Sequence, residues 1–233
     1  MMRYIFISLI HGVSLMILVT FMGGINPASA QSDKHISVGI GPFGYLDPIT
    51  PSINFHGEAQ VFNLFRIDVA YGLDLSKIAL LRWHPNPEYR HHEMKVGLKR
   101  FLAPPYSSKN FVSYAGVEYF MVRNDYEKGN DQYRRNGEEL LFDSARVSRN
   151  VDGMRLKVGF QKVSKSFGID IYFGAGVRYV AITYETTNER LAGNLWEIGG
   201  WFSPIDETAR SRYRFDINLG FKLFYLLRGK RVE

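Results

Sequence analysis

Six acidic and six basic side chains recur at alternate positions of short runs whose intervening residues are apolar or small. They are Glu58, Asp68, Asp74, Glu93, Asp170 and Asp216 against Lys95, Lys99, Arg155, Lys157, Arg178 and Lys222. Successive side chains of a strand point to opposite faces, so these groups occupy the face opposite the apolar one. Gathered inside a closed sheet they must neutralise one another, because a buried unpaired charge is prohibitively costly. Equal numbers of the two signs allow this, and the expected role is a structural salt-bridge network. A narrow polar pore or ligand cavity is one alternative. A carboxylate pair doing acid–base work is another.

Other candidate chemistry is thinner. The histidines after the leader are His35, His56, His84, His91 and His92. His91 and His92 are adjacent, so on a strand they cannot hold one ion together. Asn124, Asp125, Asn130 and Asp131 could offer oxygens to calcium, yet their spacing matches no defined calcium loop, and turn chemistry explains them as well. Leu191–Phe202 carries Trp196, Trp201 and Phe202, candidates for a recognition surface or for packing at lipid headgroup level. Arg134, Arg135, Arg146 and Arg149 could meet lipopolysaccharide phosphates. There is no phosphate loop, nucleophile elbow or H-E-x-x-H helix, and no signature of a nucleic-acid module. With no cysteine in 233 residues, thiol nucleophiles, thiolate metal sites and lipid anchoring through cysteine are excluded. The expectation is therefore no catalytic residue, no metal and no cofactor.

The elements that must position the charged face are strands. Met154–Gln161, Ile169–Tyr179 and Tyr213–Leu223 alternate apolar with polar or small residues along their whole length. Ile53–Gln60, Ile67–Asp74 and His92–Lys99 do the same, Phe111–Asp125 is a longer mixed run, and Ile36–Leu46 is a weaker first one. That makes eight, an even number, and several reach the span of about 9–11 residues that a tilted membrane strand needs. Connections alternate in length. Val61–Phe65, Leu102–Asn110 and Val163–Phe167 are short, whereas Ser76–Tyr89, Glu127–Val151 and Thr186–Ser211 are long and polar, as periplasmic turns and outer loops would be. Asp47–Pro51 is a short outer connection.

Met1–Ala30 has the form of an export signal. Arg3 is followed by the apolar run Tyr4–Met22 and by Ala28-Ser29-Ala30, which places cleavage after Ala30 and leaves 31–233 as one domain. Mean hydropathy is −0.17, far below that of a helical membrane protein but ordinary for a barrel whose apolar residues are hidden in alternation. Aromatic content of 15% suits rings of aromatics at two membrane interfaces. The net charge of +6 comes from interleaved acids and bases, which argues against nucleic acid as a partner.

Two stretches carry a resemblance. Tyr119–Tyr126 followed by Tyr133–Asn136, and Val158–Lys162 leading to Phe173–Tyr179, resemble small outer-membrane β-barrel proteins of unknown function from the Bacteroides–Flavobacterium group. The likeness covers roughly 36–190 and implies an eight-stranded antiparallel up-and-down barrel in the outer membrane. Asn218–Tyr225 is similar to the C-terminal signal read by the barrel-assembly machinery, although eight residues follow it. The expectation is a monomeric, non-enzymatic outer-membrane barrel with a structural or surface-interaction role, in contact with outer-membrane lipids and lipopolysaccharide. A pore or ligand barrel, a lipid-modifying enzyme and a soluble periplasmic barrel are the alternatives.

Overall fold

In the computed structural model, residues 35–42, 52–62, 64–74, 90–103, 111–135, 138–164, 166–191 and 211–228 are described. The expected leader and its cleavage site at Ala30 lie outside them, as do Trp196, Trp201, Phe202 and the side chain of Asp74.

These residues form nine strands: β1 (His35–Gly41), β2 (Ser52–Phe62), β3 (Phe65–Asp74), β4 (Arg90–Phe101), β5 (Val112–Arg135), β6 (Glu138–Ser164), β7 (Phe167–Thr187), β8 (Arg190–Leu191) and β9 (Ser211–Arg228). Each long strand pairs antiparallel with its sequence neighbours, and β9 pairs with both β7 and β1. Eight strands thus make one closed ring, with β8 a short addition on β6. Closure removes the unpaired edges an open sheet would leave.

Alternation decides which way each side chain points. Ile36, Val38 and Ile40 of β1, Phe55 of β2, and Ile67, Val69 and Leu73 of β3 are exposed on the outside. So are Leu156, Val158 and Phe160 of β6, Ile171 and Phe173 of β7, and Phe215, Ile217 and Leu219 of β9. Their strand neighbours are buried within the ring.

At one end the links are short, two residues between β2 and β3 and two between β6 and β7, with Leu64 and Ser166 in turns. Backbone bonds Phe101 N to Leu64 O (2.8 Å) and Leu226 N to Ser166 O (2.7 Å) tie these turns to neighbouring strands. The interior here is plugged by Phe101, Val112, Tyr114 and Tyr172. Two of these rings lie flat over glycines directly across the ladder, Tyr114 over Gly159 and Tyr172 over Gly220. A Cβ at Gly220 would stand 2.0 Å from Tyr172 Cζ, so only glycine lets the ring lie there.

The other end departs from the sequence expectation. Glu127–Val151 is not a loop. β5 and β6 continue through it as a ladder from Tyr126–Val147 out to Arg135–Glu138. Likewise β7 runs on to Thr187, paired with β6 as far as Ser144, before Asn188 turns the chain into β8. Asn188 has φ 57°, the left-handed conformation that asparagine tolerates, and its amide donates to Asp143 at 2.9 Å. The first strand also stops earlier than expected, at Gly41, and residues 43–51 lie outside those described.

Beyond the level where β4 and β9 end, this three-stranded extension has its own apolar cluster, including Tyr126, Tyr133, Leu140, Phe142, Val147 and Ile182. Tyr133 stacks on Tyr184 with centroids 4.5 Å apart and meets Phe142 at 6.0 Å. Glu189 accepts bonds from the Thr186 (2.8 Å) and Tyr133 (3.1 Å) hydroxyls and pairs with Arg135. The Thr186 hydroxyl first, then those of Tyr133 and the Arg135 charge, hold the Glu189 carboxyl below the usual carboxylate range.

Candidate functional site: the ionic interior

The inner face is built from registered rows. Around the ring, Glu58 stands opposite Asp68, which stands opposite Gly97. That row continues through Glu118, Arg155 and Gly176 to Asp216. A second row places Arg66 opposite Lys99. A third brings Gln161, Asp170 and Lys222 side by side.

Like charges directly opposite one another destabilise a sheet, so the Glu58–Asp68 and Arg66–Lys99 pairs need compensation. They receive it across the lumen. Lys99 Nζ lies 2.7 Å from Glu58, 2.8 Å from Asp170 and 3.3 Å from Asp68. Lys222 Nζ reaches the same three carboxylates at 3.2, 3.6 and 3.3 Å. Arg66 donates to Glu58 at 3.1 Å, Tyr114 to Asp170 at 2.8 Å, and His56 meets Asp68 at 3.4 Å. Three cations therefore face three anions, and every member is buried.

A second group sits nearer the extension. Glu118 holds Lys157 at 2.7 Å and Arg155 at 3.1 Å, and Asp216 meets Arg155 at 3.4 Å and Arg178 at 3.5 Å. Lys95 and Glu93 pair with each other at 3.0 Å. Aromatic faces take the remaining cation surface. Lys157 Nζ lies 3.8 Å from the Tyr172 centroid, and Arg155 packs at 3.9 Å over Phe120, which itself covers Gly153.

All of the expected interior residues with described side chains lie on this inner face: Glu58, Asp68, Glu93, Lys95, Lys99, Arg155, Lys157, Asp170, Arg178, Asp216 and Lys222. Four members were not anticipated as part of the network: Arg66, Glu118, His56 and Tyr114. Arg66 was findable by extending the alternation of β3 back two residues from Asp68. Glu118 shares its face with Gly116 and Tyr114.

What the arrangement can do chemically follows from its burial. Asp170 is 0% exposed, Lys222 1% and Glu58 2%, so the central carboxylates have no open side from which to act on a substrate. Their geometry serves cohesion. The aspartates of β5 do not converge either. Asp125 accepts from Ser148 at 2.5 Å, while Asp131 pairs with Lys128 at 2.5 Å, about 20 Å along the strand. His91 meets the Asn124 amide at 2.6 Å, and His92 meets Tyr71 at 2.9 Å on the opposite face.

No family model, curated protein or solved structure matches this chain.

Proposed function

We propose that this chain is an integral outer-membrane β-barrel whose lumen is closed by salt bridges and whose role is structural or one of surface interaction. The observation that carries it is an inversion of polarity along single strands. Within the ring, β6 points Met154, Leu156, Val158 and Phe160 outward and Arg155 and Lys157 inward. Beyond Asp152 the same outward face carries Asn150, Ser148 and Arg146, while Val151 and Val147 are buried on the inner one. β5 inverts at the same level, from Tyr119 outside and Glu118 inside to Arg123 outside and Val122 packed on the apolar cluster. β7 does so between Val177 and Thr183, with Val180 and Ile182 buried. A strand passing from lipid into water must exchange its two faces in this way, because the apolar side follows the apolar medium.

The height agrees. From Asp152 to Lys162 the outward face of β6 is free of charge, about 33 Å of strand. At a tilt of about 40° that is a band about 25 Å tall, the height of the apolar belt of an outer-membrane barrel. Exposed Tyr71, Tyr119 and Tyr213 mark one margin of the belt, and Phe62, Phe111, Phe167 and Tyr225 the other, where aromatic girdles belong. Outer-membrane lipids and lipopolysaccharide are then the surrounding partners. Asn218–Tyr225 lies in the strand that closes the ring against β1, where an assembly signal has its work to do. The full burial of the central ladder supports a closed lumen over a pore.

The test is gel mobility of the detergent-extracted protein from fractionated Gram-negative cells. The expected result is an outer-membrane fraction whose unheated band runs faster than the heated one. A soluble periplasmic protein with no mobility shift would discard the membrane reading.

A further inference from the structure

One carboxylate faces outward at the margin of the belt. Asp152 is the last outward residue of β6 before polarity inverts, directly opposite Tyr179 of β7, which is itself opposite Tyr213 of β9. An unmatched charge at the edge of lipid is costly, and here it is matched with unusual order. Arg123 Nη2 donates to Asp152 Oδ1 at 2.9 Å, and the Tyr119 hydroxyl donates to the same oxygen at 3.0 Å. The guanidinium is fixed in turn by the sheet, because Nη1 donates to the backbone carbonyls of Val122 (3.1 Å) and Val151 (3.0 Å). Exposed ion pairs lose much of their value to side-chain freedom, and main-chain anchoring removes that freedom here.

The order leaves one atom over. Both bonds fall on Oδ1, and among the described residues none is made to Asp152 Oδ2, although the side chain is 34% exposed. Arg123 spends both Nη1 hydrogens on the main chain, so what the pair offers outward is an acceptor. Aromatic faces adjoin it. Tyr179 is half-buried and meets exposed Tyr213 with centroids 5.2 Å apart and planes at 54°. An acceptor oxygen beside tyrosine rings suits a cation that carries N–H donors. One carboxylate is too few oxygens for calcium or magnesium, each of which takes six or more.

We infer that Asp152, with Tyr179 and Tyr213 beside it, is a docking site for the primary ammonium of a zwitterionic phospholipid headgroup. The inference rests on the membrane reading and deepens it, because the cluster lies in the margin where aromatic rings meet headgroups. Charge complementarity selects the occupant. Arg123 already balances Asp152, so a headgroup that is itself neutral adds no net charge at the margin, whereas an anionic one does. An ethanolamine ammonium has N–H groups to donate to Oδ2. A choline has none, and keeps only its attraction to the rings.

The test is native mass spectrometry of the full chain in mild detergent, offered equal amounts of phosphatidylethanolamine and phosphatidylcholine with the same acyl chains. D152N and Y179L are compared with E185Q, which removes an exposed carboxylate of the extension. Wild type and E185Q should retain phosphatidylethanolamine about fivefold over phosphatidylcholine, the size of an exposed ion pair with a ring contact. D152N should bring that ratio to about one, and Y179L should lower it. Insertion into vesicles, read from the fast unheated band, is measured for every variant, and where D152N does not fold Y179L decides. Wild type that inserts but retains the two lipids equally would overturn the site and leave the membrane reading standing. So would a folded D152N or Y179L with the full preference, or an E185Q without it. Wild type that inserts into no vesicle would discard the membrane reading and the site with it.

Discussion

The ring and its extension share three strands, β5, β6 and β7, and are held together by opposite means. In the ring, β5, β6 and β7 turn Glu118, Arg155, Lys157 and Asp170 inward and cohere through ion pairs. A few rows on, the same strands turn Tyr126, Val147 and Ile182 inward and cohere through apolar burial. The row Val122–Val151–Val180, continuous in register, marks the change. Backbone pairing passes through it without interruption, so secondary structure does not explain the switch. The proposed membrane setting accounts for it: with lipid on the apolar faces the interior is left to charges, and where water returns the interior becomes an ordinary core.

That contrast should break first at its most tightly coupled point. Replacing Glu58 by Gln removes a carboxylate shared by Arg66, Lys99 and Lys222 and leaves three buried cations facing only Asp68 and Asp170 in the cluster, a charge imbalance that should cost roughly 3–5 kcal/mol. Urea titration of the protein refolded into vesicles should report that loss through the ring. In the extension the corresponding lesion is Phe142→Ala, which should cost about 3–5 kcal/mol of local stability. Hydrogen exchange should show faster exchange in residues 131–147 with Met154–Gln161 unchanged.

The outward faces sharpen the comparison. Leu156→Arg, in mid-belt, should destabilise the lipid-inserted protein by about 2–4 kcal/mol. Ser148→Arg, on the same face of the same strand beyond Asp152, should stay within about 0.5 kcal/mol, as surface changes do. Equal penalties at the two positions in vesicle refolding would remove the polarity argument. With a smaller effect than Leu156→Arg, Gly220→Ala forces a methyl against the Tyr172 ring and should cost about 1–3 kcal/mol. The double variant with Tyr172→Leu should recover part of the loss.

The mildest effect is one of pH at the tip of the extension. The Glu189 carboxyl is held low by Thr186, Tyr133 and Arg135, so its contribution is present above the ordinary carboxylate range. It is lost as pH falls through the depressed value. Exchange protection of β8 and the end of β7 should decline on acidification, and Glu189→Gln should flatten that dependence.

The ring was legible in the sequence because β6, β7 and β9 keep strict alternation for most of their length, and a period of two permits only one assignment of faces. The extension was not, for the same reason inverted. Between Glu127 and Val151 both faces carry charged or polar residues such as Lys128, Asp131, Arg134 and Arg146, so the contrast that marks a strand disappears although the pairing continues. Tyr133, Leu140 and Phe142 were visible as apolar residues, but their spacing declares a core only once β5 and β6 are set in register. Within the ionic interior the members of each row could be placed on a face, whereas the partners could not be matched. Lys99 meets Asp170 across the lumen from a strand with which β4 shares no ladder, and such a contact depends on ring closure. Arg66 stands at the start of a strand, between Phe65 and Ile67, where only an alternation carried back from Asp68 reaches it.

The central claim is that lipid surrounds the ring and stops at the row where polarity inverts. The most direct measurement is quenching, by brominated lipids in vesicles, of a fluorophore attached to single cysteines at Val158→Cys, Phe173→Cys, Leu219→Cys, Ser148→Cys and Thr183→Cys. The account requires strong quenching at the first three and none at the last two, although Val158 and Ser148 share one face of β6. Quenching at none of the five, or equal quenching at Val158→Cys and Ser148→Cys, would contradict it.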